Sequence, residues 1–312
     1  MENKEKQIWD LIIIGGGPAG ITAGIFAGRQ KLKTLLITKE FGGQINLKAV
    51  HIENYPGFSE ISGKELISRF VEHLKKYPVE ILLEEVIKIR KENDIFNVIT
   101  EKNNLFFSRT AILAVGAKPR TLEIKGEKEF LGKGVSYCPV CDGYFFKEKQ
   151  VAIIGGGNAG FESALFLSQI AKKIYILDFS ETPKADKELQ ERVESTKKVE
   201  FIGGVKIKEI QGENFVKALI YEEIKTNREF ILPVSGVFIH AGTVPQTYLV
   251  EGLVDFNEKK EIKINPETLQ TKTPGLFAAG DCTEGKYKQI VIAAAQGAKA
   301  ALSAFEFLKA KQ

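Results

Sequence analysis

Residues 11–37, LIIIGGGPAGITAGIFAGRQKLKTLLI, align without a gap onto residues 151–177, VAIIGGGNAGFESALFLSQIAKKIYIL. Each copy reads as a buried apolar strand, a glycine turn, a helix and a second strand. That is the βαβ unit with G-x-G-x-x-G in its first turn. The glycines are Gly15, Gly17 and Gly20 in the first copy and Gly155, Gly157 and Gly160 in the second. Small residues there let the backbone approach a pyrophosphate, and the helix behind the turn offers its free N–H groups to the anion. A lone glycine fingerprint is weak, because such turns also arise for structural reasons alone. Two copies in the same context point to two dinucleotide sites.

The self-similarity runs on past the fingerprints. Segments such as FNVIT (96–100) and VKALIYEEI (216–224) read as antiparallel strands. Each copy then closes in a matching element, TAILAVGAKPR at 110–120 and GVFIHAGTVPQ at 236–246, with Gly116 opposite Gly242 and Pro119 opposite Pro245. These Gly/Pro exits are the natural boundaries. The first nucleotide unit therefore runs to residue 117 and the second from 121 to 242, with linkers at 117–121 and 242–247. The fold class expected is α/β, with two Rossmann-like dinucleotide-binding domains, each carrying an antiparallel β insertion. The remainder from 247, with GLFAAGDC and the helical KQIVIAAAQGAKAALSAFEFLK, is too short for a third domain and must pack on one of these. Elsewhere SGKELISRFVEHLKKYP reads as an amphipathic helix with Leu66, Phe70 and Leu74 on one face. Ser62 and Glu65 have capping-box spacing, and Pro78 is read as its stop.

Bulk properties narrow the partners. The 312 residues suffice for two ordinary domains. A net charge of +4 with no basic block argues against nucleic acid. Apolar runs as short as LIII argue against a membrane span. The opening MENKEKQIWD lacks the apolar stretch of a secretory signal. With three cysteines the chain reads as cytoplasmic, where a lasting structural disulfide is rare.

The second strand of the second copy ends at Asp178, 18 residues beyond Gly160, where a carboxylate accepts hydrogen bonds from an adenosine ribose. A 2′-phosphate would call for arginine, and ILDFSETPKA has none, its first lysine being Lys184. NADH is therefore favoured over NADPH in the second domain, against the alternative that Asp178 is a solvated loop residue. The first copy has Thr38 at the equivalent place, with Glu40 nearby, and is open to another dinucleotide such as FAD.

Between the two sites lies GVSYCPVCDGYF (134–145), with Cys138 and Cys141. Zinc needs four ligands, and only Cys282, His51, His73 and His240 remain, scattered along the chain, so no metal is expected. The histidines are read as ordinary residues and Cys282 as structural. Asp142, next to the pair, is either a turn residue or the acid/base that thiol–disulfide exchange requires. Close pairing favours a usable thiolate. Two dinucleotide sites flanking a cysteine pair suggest a relay from nicotinamide to flavin to disulfide.

Across nearly its whole length the chain resembles the low-molecular-weight thioredoxin reductases. The resemblance rests on GGGPAG, FGGQI…IENYPGF, CPVCDG, GGGNAG and GLFAAGDC…YKQIVIAAAQGAKAA. CPVCDG, LDFSETPKADKELQ and AAGDCTEGKYKQI are closer still to the flavoprotein subunits of alkyl hydroperoxide reductases, though the extra N-terminal disulfide domain of those proteins is expected to be lacking. The resemblance implies FAD held by Gly15, Gly17, Gly20, Gly43, Gln44, Asn54 and Gly116, with Asp281 and Gln289 from the C-terminal segment. Residues 1–117 and 247–312 then form the FAD domain, into which the nicotinamide domain 121–242 is inserted. It further implies that Cys141 lies against the flavin, that Cys138 attacks the substrate disulfide, that Asp142 is the acid/base, and that the unit is a homodimer. Electrons would pass from NADH through FAD and the Cys138–Cys141 disulfide to a thioredoxin- or glutaredoxin-like protein, the inserted domain rotating on its linkers. The alternatives are reduction of a peroxiredoxin through a separate carrier, a ferredoxin donor, and a non-catalytic flavin-binding redox sensor. Two departures stand out: LDFSE replaces an arginine-bearing segment, and FIHAGTVPQT, with His240, replaces the usual IGxxPNT.

Overall fold

The computed structural model describes residues 7–45, 52, 54–250, 252–285 and 287–311, without the side chains of Val140 and Cys141. It divides into two compact units, Met1–Lys118 with Val244–Gln312, and Pro119–Thr243. His51 lies outside the described residues.

In the first unit β1 (Ile8–Gly16) feeds the first fingerprint helix (Pro18–Arg29) and β2 (Thr34–Phe41). Leu11 and Ile13 enter one core and Ile12 and Ile14 another. The continuous apolar run is thus what a strand covered on both faces requires. After the helix Gly63–Leu74 come β3 (Val79–Leu83), β4 (Val86–Glu92), β5 (Ile95–Thr100) and β6 (Leu105–Leu113). The order is β3-β2-β1-β6-β5-β4, parallel from β3 to β6 and antiparallel across the last three. The chain leaves through β7 (Ala117–Pro119).

The second unit holds β8 (Val135–Ser136), β9 (Gln150–Ile154), the second fingerprint helix (Asn158–Ser168), β10 (Lys173–Leu177) and β11 (Val199–Ile202). They are followed by β12 (Val205–Gly212), β13 (Val216–Glu223), β14 (Arg228–Pro233) and β15 (Gly236–Ile239). Its parallel sheet runs β11-β10-β9-β15-β8, and β12-β13-β14 form a separate antiparallel sheet. The chain returns through β16 (Thr243–Pro245) to β17 (Leu276–Ala278), which adds to β6 in parallel, and to the helix Ile290–Lys309. Both units are therefore Rossmann-like. They differ in the insertion, which continues the main sheet in the first unit and stands apart in the second.

One expectation needs correction. The helix from Ser62 ends at Leu74, not at Pro78: the amides of Lys76 and Tyr77 turn back to the carbonyls of His73 and Leu74 before the proline is reached. Ser62 caps it by accepting the Glu65 amide at 3.2 Å, whereas the Glu65 carboxylate pairs with Arg69 instead of completing the box. The helical reading of the C-terminal segment corresponds to the helix Ile290–Lys309, the one described helix long and apolar enough to cross a bilayer. Its small residues Ala293, Gly297, Ala300, Ala301 and Ala304 are buried in the first unit, which accounts for the composition without a membrane.

Candidate active site

The first fingerprint is shaped by collisions that only glycine avoids. Gly15 holds φ at +114°, and a Cβ there would lie 2.2 Å from the Ala114 carbonyl oxygen. A Cβ on Gly20 would sit 1.8 Å from the Gly15 carbonyl, so helix and turn lie backbone to backbone. Gly16, which the fingerprint pattern does not count, is closed in by Thr38 Oγ1 at 2.7 Å and the Glu40 carbonyl at 2.8 Å. Gly17, Gly43 and Gly116 are the opposite: a Cβ at any of them would meet no atom within 4 Å. Their backbones border open space that a ligand can enter. The helix begins at Pro18 with no side-chain cap and no acidic residue in its first turn, leaving its positive end to an anion.

Four polar residues assigned by resemblance meet in pairs at this unit. Gln44 Nε2 donates to Asp281 Oδ2 at 3.2 Å, and Asn54 Nδ2 to Gln289 Oε1 at 3.2 Å. The Gly280 amide donates to Gln296 Oε1 at 2.7 Å, fixing the Asp281 loop to the C-terminal helix. Open glycine backbone, an uncapped helix end and convergent amide and carboxylate groups fit a pyrophosphate-bearing cofactor such as FAD. Cys282, next to Asp281, is fully buried, its thiol directed at the carbonyls of Ala279 and Leu113. Burial pushes that thiol up to about 11, so it is a structural residue.

The second fingerprint repeats the pattern with one addition. Gly155 holds φ at +121° against the His240 carbonyl, and Gly157 borders open space. Where the first copy has Thr38, donating to the Glu40 carbonyl at 2.6 Å, the second has Asp178 at the end of β10. Its Oδ2 accepts the Gly156 amide at 2.6 Å and its Oδ1 the Ser180 amide at 2.7 Å. Asp178 is therefore first a clamp on the turn; each oxygen keeps a lone pair for a ribose hydroxyl. Asn158 and Asp186 bond reciprocally at 2.7 and 2.8 Å, and the Lys184 amide reaches the Gly156 carbonyl at 2.8 Å. The 178–186 loop is thus tied to the fingerprint it borders. His240, whose departure from the family pattern had no explanation in the sequence, bonds through Nε2 to Ser163 Oγ at 2.7 Å, joining the end of β15 to the fingerprint helix. His73 is exposed on its helix.

The redox segment lies between β8 and β9. Cys138 is disulfide-bonded and 7% exposed, while Cys282 is free. The side chain of Cys141 lies outside the described residues. The short helix Pro139–Asp142 follows Cys138 and includes Cys141, and the Asp142 amide donates to the Cys138 carbonyl at 3.2 Å. Just beyond it Tyr144 and Phe145 are 72% and 74% exposed. Sequence reasoning did not single out these two aromatics, although their proximity to the cysteines was visible. Among the described residues no group of three or more His, Cys, Asp and Glu gathers as metal ligands.

The family model for pyridine nucleotide-disulphide oxidoreductases matches residues 9–297. A protein of Bacillus subtilis (strain 168) named NADH dehydrogenase is 39% identical over 307 residues, covering 98% of this chain and 60% of its own length. A protein of Staphylococcus aureus (strain MRSA252) named as an alkyl hydroperoxide reductase subunit is 39% identical over 308 residues, with the same 98% and 60% coverage. The chain thus spans about 60% of the length of the curated relatives it matches. Among solved structures, the thioredoxin reductase of Lactococcus lactis superposes with a TM-score of 0.94 at 36% identity, covering 97% of this chain and 99% of that one.

Proposed function

The chain belongs to the pyridine nucleotide-disulphide oxidoreductase family, and from this we infer that it passes electrons from NADH, through FAD, to the Cys138–Cys141 pair and on to the disulfide of a small thioredoxin- or glutaredoxin-like protein. The observation that carries this reading is a disulfide-bonded Cys138 17 residues ahead of Gly155, the first glycine of the second fingerprint, in a chain whose first fingerprint fits FAD.

Bound FAD supplies two-electron transfer between the nicotinamide and the cysteine pair. The protein does the rest. Gly17, Gly43 and the N-terminus of the first fingerprint helix receive the pyrophosphate, and Gln44, Asn54, Asp281 and Gln289 orient the flavin end. Once the pair is reduced, the Cys138 thiolate attacks one sulfur of the partner's disulfide and releases the other as a thiol. Cys141 then attacks Cys138 in the mixed disulfide, releasing the second partner thiol and restoring the oxidised pair. Asp142 holds and returns the proton. Tyr144 and Phe145 give the segment an exposed apolar flank suited to a protein substrate.

NADH as donor is supported by a carboxylate, Asp178, fixed at the ribose end of the turn, and by a relative named NADH dehydrogenase. A second reading, in which the same disulfide feeds a peroxiredoxin through a separate carrier, is favoured by the likeness to the alkyl hydroperoxide reductase protein of Staphylococcus aureus. One experiment addresses the donor: the oxidised flavoprotein is mixed anaerobically with NADH, NADPH or reduced ferredoxin and flavin bleaching is followed. NADH should bleach it fastest. Faster bleaching by NADPH or by ferredoxin would sink the donor assignment.

A further inference from the structure

Tyr137 stands immediately before Cys138, and its phenol donates a 2.5 Å hydrogen bond to Oε1 of Glu127. Glu127 is 2% exposed, an unusual place for a carboxylate unless its oxygens are fully engaged. Here they are: Oε1 also accepts the Leu122 amide at 2.9 Å and Oε2 the Glu123 amide at 2.7 Å. Glu123 takes a left-handed φ of +58°, a strained conformation for a residue with a Cβ. Upstream, the Arg120 amide donates to the Gly242 carbonyl at 2.9 Å, tying the start of the second unit to its end. On the other side of Tyr137, Ser136 Oγ accepts the Cys138 amide at 2.9 Å and bonds back to its carbonyl at 3.2 Å. Burial first, and Glu127 second, push the Tyr137 phenol above its ordinary value, so it stays protonated and remains a donor.

None of these groups takes part in the electron transfer proposed above, yet together they grip the two residues that precede the redox cysteine. A thiol that attacks the disulfide at Cys138 must reach that sulfur along the S–S axis, and Cys138 is only 7% exposed. We propose that Tyr137, held by the buried Glu127, is a positioning residue that keeps Cys138 buried and its disulfide protected until this segment is released. The inference rests on the reading of Cys138 as the redox cysteine. Neither Tyr137 nor Glu127 touches the reacting atoms; their effect is transmitted through the backbone from 136 to 138.

The test uses the full-length oxidised protein and dithiothreitol, which delivers two electrons and two protons to the disulfide as it closes to its own cyclic disulfide. Samples are quenched in acid, unfolded and labelled with a maleimide, and the appearance of thiols is followed by mass. Tyr137→Phe is compared with wild type and with Tyr175→Phe, which removes another part-buried phenol bond of the same unit, to Gln150 at 3.0 Å. Loss of a hydrogen bond to a charged group should make Tyr137→Phe react about tenfold faster or more, with Tyr175→Phe reacting like wild type. Glu127→Gln should move the rate in the same direction, and it keeps the test usable should Tyr137→Phe fold poorly. Reduction of either variant no faster than Tyr175→Phe, whatever its melting temperature, would show that the bond is structural only and overturn the proposal. The assay needs no flavin reduction, nicotinamide or partner protein, so its failure is distinct from a failure of the donor assignment.

Discussion

At the scale of single residues, Cys282 shows how environment separates one cysteine from another in the same chain. Its thiol, ordinarily near 9.0, is raised to about 11 by complete burial. The sign of the linkage follows. Below pH 9 both folded and unfolded chains keep this proton and stability is unaffected; between pH 9 and 11 the unfolded chain releases it while the native one holds it. Stability therefore falls as pH rises through that window, by about 2–3 kcal/mol at its top. Urea titrations at pH 8.5 and 10.5 should show a smaller loss for Cys282→Ala than for wild type, and equal losses would mean that Cys282 does not titrate this way. That Cys282 is structural was legible in the sequence, because no partner cysteine lay near. The bond between His240 and Ser163 was not, since 77 residues separate them and a sequence carries no distance between positions so far apart. The same holds for Glu127 and Tyr137: each type is common, and only folding shows that the carboxylate is buried and fully bonded.

Elements were legible where their signal is local. The fingerprint strand, turn and helix announce themselves by an apolar run, fixed glycines and a helical period, all within 27 residues. The stop of the helix Gly63–Leu74 was misplaced because Pro78 is a strong breaker in sequence, while the turn through Lys76 and Tyr77 that ends it has no special residue. The C-terminal helix poses the reverse problem, as its Ala- and Gly-rich face resembles a membrane segment until its neighbour is known. That neighbour is the first fingerprint helix: a Cβ on Gly297 would lie 2.0 Å from the Ala19 carbonyl oxygen. Gly297→Val should force the helices apart and destabilise the protein by about 1–3 kcal/mol or more, as overpacking does. It should also weaken flavin retention, because Gln296 anchors the Gly280 amide of the Asp281 loop. Ala295→Val, at an exposed position of the same helix, controls for the poorer helix propensity of valine. Thermal melts and flavin content measure both effects, and matching behaviour of the two variants would refute close helix contact as the cause.

At the scale of the whole molecule, the repeat told more about architecture than any single motif. It showed two units of one topology, and it could not show how each completes its sheet. The first unit takes its fifth parallel strand, β17, from the far end of the chain, whereas the second takes β8 from ahead of its own fingerprint. For the same reason Gln44 and Asp281, 237 residues apart, reached the candidate flavin site by resemblance and not by pattern. This difference has a consequence for folding. Pro119–Thr243 is one continuous segment, and the core clusters around Val237 and around Phe238 draw all their residues from within it. The other unit needs two segments joined in space before β17 can pair with β6. A domain of roughly 125 residues with its own cores is large enough to fold alone. Residues 119–243 produced by themselves should therefore melt in a single cooperative transition by far-ultraviolet circular dichroism and keep fixed near-ultraviolet signals. Residues 1–118 alone should not, since β6 then lacks β17 and the fingerprint helix lacks its partner at Gly297. A gradual, non-cooperative loss of signal from the 119–243 segment would mean that the second unit depends on the first for its structure, and that the boundary marks contact density without marking a folding unit.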